Sequence, residues 1–270
     1  MNTTTNKPVS TLMSIQKGRV LKAPRILIYG TEGVGKSTFA AGAANPVFIQ
    51  AEDGLDVIGA DRYPLAPDFQ TVLDQLDDLI QKQEYQTLAI DTMDGLEKII
   101  LEQMKKDYNV KDYTAIGGGY SKYQEISLIY WDKIKKRLTV LRDRGMVIAL
   151  IAHAEIRTYN DPESRSYDRY SPRLVKPATA MFCEWCDVIA FAKHCKTIEK
   201  EDLGFGKTRS IAVETVNTAG SSRTLQCYPS PACVAKNRYG IEYDLPLEWN
   251  AMIQAITKQG DENAKADHCE

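Results

Sequence analysis

The sequence has no apolar run near the roughly 20 residues that a bilayer-spanning helix needs. Its first ten residues, MNTTTNKPVS, are polar and lack the apolar core of a signal peptide. Charge of one sign is missing too: 34 Lys+Arg stand against 36 Asp+Glu, a formal net charge of −2. A protein held to nucleic acid by bulk attraction is thereby excluded, and any such contact has to be local. Six cysteines in 270 residues, without a secretion signal, read as reduced thiols in a cytoplasmic protein. No internal repeat, low-complexity tract or linker marks a second domain. The expected organisation is a lead-in over 1–22, one domain over 23–258 and a loose, charged tail over 259–270.

Short, β-branched apolar runs are present, at 25–29 (RILIY), 46–50 (PVFIQ), 87–91 (TLAID) and 146–152 (MVIALIA). Runs this continuous suit strands covered on both faces. Helical patterns fill the intervals at 35–42, 69–82, 95–106 and 122–142. Strand–helix alternation implies an α/β fold, a mainly parallel sheet with helices on both faces. After Asp187 the pieces 188–192, 210–216 and 223–228 follow one another with turn-rich links (204–206, 219–221) and no helix between. They predict an antiparallel extension at one edge of the same sheet, closed by a last helix over 247–258.

Gly30, Thr31, Glu32, Gly33, Val34, Gly35, Lys36 and Ser37 match the phosphate-loop pattern G-x-x-x-x-G-K-[ST] in full, between a strand and a helix. Glycines let successive N–H groups turn toward a phosphate; Lys36 reaches the β- and γ-phosphates, and the Ser37 hydroxyl ligates Mg²⁺. With Thr38 these residues form the expected ATP site. Asp91 ends a buried strand and is the candidate second metal ligand, through water, unless it caps the following helix instead. The position after it is Thr92, not the Glu that many such ATPases carry there. The candidate that orients attacking water is therefore Glu52, at the end of the neighbouring strand, with Asp53 beside it or a solvated loop acid as the plainer reading.

PVFIQAEDGLD, read with the phosphate loop, resembles the RecA recombinase superfamily, whose second core strand ends in a water-activating Glu. The resemblance implies a RecA-like P-loop NTPase in which TLAIDT is the metal strand. VIALIAHAE would be the sensor strand, with His153 sensing the γ-phosphate. Lys236-Asn237-Arg238-Tyr239-Gly240 resembles the Lys-Asn-Arg-Phe-Gly signature of the bacterial branch-migration protein RadA and the Lys-x-Arg element of replicative helicases. There the two cations complete a neighbouring subunit's ATP site, which implies a homo-oligomer, ring or filament, with Lys236 and Arg238 acting in trans. Over 25–249 the chain is similar to small phage-encoded ATP-binding proteins implicated in single-strand annealing and recombination, which would put it in the host cytoplasm.

RecA-like proteins hold single strands through two loops. The first interval, 112–123, joins three glycines to Tyr113, Tyr120, Lys122 and Tyr123, a set suited to stacking on unpaired bases. The second, 155–176, carries Arg157, Arg165, Arg169, Arg173 and Lys176 among tyrosines, against Glu155, Asp161, Glu163 and Asp168. The expected partner is single-stranded DNA, with a separate single-strand-binding protein as a further one. Two rivals stay open: a small-molecule kinase using 155–176 as an Arg-rich lid, and a non-catalytic ATP-dependent replication adaptor. Cys183, Cys186, His194 and Cys195 raise the question of zinc, though helix 178–185 would make these cysteines small buried hydrophobes.

Overall fold

Alternation decides which way each buried run faces. In the first strand Leu27 and Tyr29 pack on one side of the sheet and Ile26 and Ile28 on the other, all fully buried. A strand clothed on both faces has no polar side, which is why its sequence reads as continuous. The computed structural model of the protein describes residues 22–163, 165–202, 208–216 and 221–266.

In chain order the elements are β1 (Arg25–Gly30), α1 (Lys36–Ala41), β2 (Pro46–Gln50), β3 (Asp61–Arg62), α2 (Phe69–Lys82), β4 (Thr87–Asp91) and α3 (Met93–Asp107). A 3-10 turn (Tyr113–Gly118) leads to α4 (Lys122–Asp143), β5 (Val147–Tyr159), β6 (Tyr167–Pro172), α5 (Lys176–Trp185) and β7 (Val188–His194). Then come β8 (Lys196–Asp202), β9 (Thr208–Glu214), β10 (Arg223–Gln226), β11 (Lys236–Asn237), β12 (Leu245–Pro246) and α6 (Trp249–Ala266). The main sheet runs β12-β10-β7-β1-β5-β4-β2-β3, with β11 on β7 and β6 on β5. One face is covered by α2, α3, α4 and α5 around Leu76, Trp131 and Phe182; the other by α1 and α6 through Phe39, Trp249 and Met252.

The architecture is the expected α/β fold, a mainly parallel sheet with helices on both faces and an antiparallel edge. β5 stands between the phosphate-loop strand β1 and the Asp91 strand β4, and all three run parallel. Gly30 is level with His153, while Gln50, Asp91 and Ile151 share a level. The loops after β1, β2, β4 and β5 therefore open on one edge.

Several expectations are corrected. The run at 146–152 does not end there: β5 continues to Tyr159 and pairs antiparallel with β6, so 155–176 is a β-hairpin leading into α5 rather than a flexible loop. The run at 188–192 is parallel to β1, not an antiparallel addition, because α5 carries the chain back across the sheet first. The piece at 210–216 pairs with β8 in a two-stranded sheet of its own. The antiparallel edge is supplied by β10 and β12 instead. The closing helix runs Trp249–Ala266, past the residue where the tail is expected to begin. The lead-in up to residue 21, the links at 204–206 and 219–220 and residues 267–270 lie outside the described residues.

Candidate nucleotide-binding site

The phosphate loop is drawn tight by two left-handed backbone positions. Gly33 has φ 74° and Gly35, which precedes α1, φ 104°, conformations that a Cβ disfavours. Gly30 has a second reason to be glycine: a Cβ there would run into the carbonyl oxygen of Ala192 on β7. Lys36 is 6% exposed and folds back onto the loop, donating to Gly30 O at 3.0 Å and Thr31 O at 2.8 Å. Burial pushes its ammonium below the usual lysine range, against the pull of Asp91, Asp94 and Glu32. Around it lies a cleft of about 260 Å³, lined by Gly33, Gly35, Lys36, Ser37, Thr38, Asp91, Thr92 and His153. An ammonium satisfied by carbonyls of its own loop can exchange them for phosphate oxygens.

Ser37 Oγ donates to Asp91 Oδ2 at 2.5 Å. Thr92 takes the capping role, its side chain accepting from Gly95 N at 3.1 Å, which leaves the Asp91 carboxylate to the cleft. Burial pushes Asp91 up from the usual carboxylate range, opposed by the Ser37 hydroxyl, then Lys36 and His153. A hydroxyl and a carboxylate in contact form a hard oxygen donor set that fits Mg²⁺.

Behind the cleft stands a residue that the sequence did not single out. Asp94, in the first turn of α3, accepts from the His153 backbone N–H at 3.0 Å and lies 2.9 Å from the His153 ring Nδ1. Its Oδ2 also accepts from Arg173 Nη2 at 2.9 Å. Burial alone would push this carboxyl up, but those three contacts outweigh it and hold it below its ordinary value. A carboxylate only accepts, so the His153 ring carries a proton on Nδ1. Glu52 closes the group, its carboxylate within 4.8 Å of ligand atoms of both Asp94 and His153. It is paired with Lys98 at 2.9 Å, as Asp94 is with Arg173, so this cluster is already neutralised by cations of the protein.

Arg223, the first residue of β10, was also not singled out. It donates from Nη1 to Val34 O at 3.2 Å and lies over Gly35, where a Cβ would come within 2.6 Å of it. Its signal is tertiary, since it is far from the loop in sequence.

A phosphate loop on a buried strand, with its metal pair one strand removed, is matched by family comparison. The AAA_24 family, described as an AAA domain, covers residues 22–239. The chain belongs to this AAA-domain family. It is thereby a nucleotide-binding P-loop ATPase domain. It is 27% identical over 177 residues to the SPbeta prophage-derived uncharacterized protein YorG of Bacillus subtilis (strain 168), a match that spans 64% of the chain but only 51% of YorG. The chain spans about half the length of that relative. A KaiC-like protein from the hyperthermophilic archaeon Pyrococcus horikoshii OT3 is similar at 12% identity and a TM-score of 0.36, over 71% of this chain and 78% of that one.

The remaining candidates fall elsewhere on the AAA domain. Arg157, Arg169 and Lys176 line one cavity of about 520 Å³ between the β5–β6 hairpin and α5, with Tyr159, Ser171, Thr179 and Cys183. Among the described residues no carboxylate lines it. Arg169 stacks 4.0 Å over the Tyr159 ring, and Arg157 is anchored on Glu155 and the Leu174 carbonyl. Arg165 sits in the exposed hairpin turn, whereas Arg173 pairs with Asp94 beside the nucleotide cleft and does not line that cavity. In the first expected DNA segment, Tyr123 packs against Tyr113 with ring centroids 5.0 Å apart and Ile116 is buried, so part of that loop is core. Lys122 and Tyr120 are exposed, Tyr120 at 99%.

Lys236 and Arg238 lie at the opposite end of the sheet from the loop: Lys236 is level with Ile189, and Val188 with Ile26. Lys236 donates to the Cys183 and Glu184 carbonyls at 2.7 and 3.3 Å. Arg238 pairs with the buried Asp187, which also binds Arg25. Both cations are engaged within the chain. Cys186 and the His194-Cys195 pair stand at opposite ends of β7, about 20 Å apart along the strand, too far to share a zinc ion. The described cysteines are free thiols, and no described helix is long and apolar enough to cross a membrane.

Proposed function

We propose that this P-loop ATPase hydrolyses ATP while acting on single-stranded DNA, in phage-type recombination, annealing or replication. The observation that carries the reading is the cavity lined by Arg157, Arg169 and Lys176, with no carboxylate among its described lining residues and the Tyr159 ring at its wall. It is built on the continuation of β5, the strand whose His153 lines the nucleotide cleft. Three cations and an aromatic face suit a phosphodiester backbone with an unstacked base. The prophage origin of YorG supports the phage-type setting of this reading.

In the cleft, Lys36 and the loop N–H groups would hold the phosphates, and Ser37, with Asp91 through water, would hold Mg²⁺, whose charge would offset that of the phosphate oxygens. Glu52 is the group that would accept the proton of attacking water, with Lys98 orienting it. His153, its Nδ1 committed to Asp94, presents Nε2 toward the nucleotide. A net charge of −2 leaves little attraction at a distance, so tight binding needs many copies side by side. Assembly with Lys236 and Arg238 serving a neighbour's site requires them first to leave their intrachain carbonyl and carboxylate partners.

The test is ATP turnover with and without single-stranded DNA, together with retention of a labelled strand and sizing with nucleotide. Stimulation that is lost in Arg157→Glu/Arg169→Glu supports the reading. No retention and no stimulation would sink it. Phosphoryl transfer to a small molecule would instead make it a kinase, although a segment held in six strand pairs from Tyr159 to Ala154 is a poor lid.

A further inference from the structure

Arg173 enters the nucleotide cleft from the hairpin of its own chain. Its backbone N–H donates to His153 O at 2.9 Å, so it extends the β5–β6 pairing down to the level of the phosphate loop. Its guanidinium is held at both ends, but unequally. Nη2 donates to Asp94 Oδ2 at 2.9 Å, on a carboxylate 5% exposed. Nη1 reaches Glu32 Oε1 at 3.5 Å, on a side chain 73% exposed. The first contact is buried and shared with His153; the second is long, solvated and weak.

Lys36 is the cation of the phosphate loop and Asp91 lines the cleft beside it, while Asp94 and Glu52 are already paired with Arg173 and Lys98. A triphosphate held on this loop adds about four negative charges beside Glu32, which is itself a loop residue. Arg173 is the guanidinium already standing there. Glu32 and Arg173 both act on the Lys36 ammonium, and Glu32 and Glu52 both act on Arg173, so these groups share one electrostatic neighbourhood.

We propose that Arg173 is a γ-phosphate-binding residue acting in cis, exchanging Glu32 for a terminal phosphate oxygen at Nη1 while Nη2 stays on Asp94. The planar fork of arginine makes both contacts at once, which a lysine ammonium cannot do from the same position. ADP has no γ-phosphate, so with ADP the Glu32 contact persists. The nucleotide state is thereby read by the residue that follows β6, and the hairpin carrying Arg157 and Arg169 ends at Pro172, one residue before it.

The inference rests on the nucleotide cleft and not on the DNA reading, so its test omits DNA. The full-length chain with Mg²⁺ is titrated with ADP and with a β,γ-imido ATP analogue. Parent, Arg173→Gln, Glu32→Gln and the double variant are compared, each with a thermal melt. The expected result for Arg173→Gln is a fall of about tenfold in the triphosphate-to-diphosphate affinity ratio, with ADP affinity nearly unchanged. Glu32→Gln, at an exposed position, should raise that ratio when Arg173 is present and leave it unchanged in the double variant. Equal losses for both nucleotides, as expected if Arg173 only neutralises Asp94, would overturn the proposal. So would a Glu32→Gln effect that is zero or independent of Arg173, and that arm decides the matter even if Arg173→Gln does not fold.

Discussion

Ser37 Oγ lies 2.5 Å from Asp91 Oδ2, joining the loop after β1 to the end of β4 although β5 separates the two strands in the sheet. The contact exists because the Thr92 hydroxyl takes the helix N-terminus that Asp91 would otherwise cap. A carboxylate buried this deeply is a cost to the protein.

That cost gives the first expectation. The Asp91 carboxyl is raised in the folded state by burial, so its contribution to stability is present at low pH and is lost as pH rises through the folded value. Asp91→Asn should therefore raise the melting temperature of the nucleotide-free protein at neutral pH. It should also abolish the strengthening of ATP binding by Mg²⁺ and cut turnover on the order of a hundredfold. Melts with and without Mg²⁺ and ATP measure both; an unchanged Mg²⁺ effect would remove Asp91 from the metal site.

Gly95 is a steric requirement of Glu52. A Cβ on Gly95 would meet Glu52 Cγ at 2.5 Å and the Ala51 carbonyl oxygen at 3.0 Å. Gly95→Ala should displace the Glu52 carboxylate and lower turnover by at least about tenfold, with ATP affinity kept, because a water-orienting acid acts on the chemical step. Separate binding and steady-state measurements distinguish this from misfolding, which would lower both.

Glu97 sets a pH dependence. Burial pushes its carboxyl up from 4.5 to about 7, opposed by the Val175 N–H that it accepts at 2.9 Å. Between those two values the folded state holds more protons than the unfolded one, so stability falls as pH rises across the window and levels off above it. Glu97→Gln keeps an acceptor for Val175 and should flatten this slope. Urea midpoints at pH 5, 6, 7 and 8 for both proteins test it; parallel curves would refute it.

Lys236 closes the C-terminal end of α5 through two carbonyls. Lys236→Ala should cost about 1 kcal/mol of stability, read from chemical denaturation. A loss of turnover beyond what this explains, with ATP affinity intact and dependent on protein concentration, marks the additional role in a neighbouring subunit. Unchanged turnover leaves capping as its whole function.

Legibility followed locality. The phosphate loop spells out its conformation in contiguous residues, and β1, β2 and β4 show as unbroken apolar runs because both of their faces are covered. Asp91, Glu52 and His153 could be placed together because parallel strands end on one edge. The second half of β5 was hidden for the opposite reason: AEIRTY pairs with β6 in a ribbon off the main sheet, so it carries polar and charged residues where a core strand carries none. The direction of β7 was equally unreadable, since an apolar run is the same for a parallel and an antiparallel neighbour.

The sequence by itself determined that the chain carries a phosphate loop, on which residues, and on what kind of sheet. These properties depend on neighbours in the chain and on the period of the pattern. The tertiary structure decided which charges meet. Asp94 reads as one more acid in a helix and Arg173 as one more cation in a loop. Contact between residues 79 positions apart depends on how α3 and the β5–β6 hairpin pack, and a linear pattern has no term for that distance.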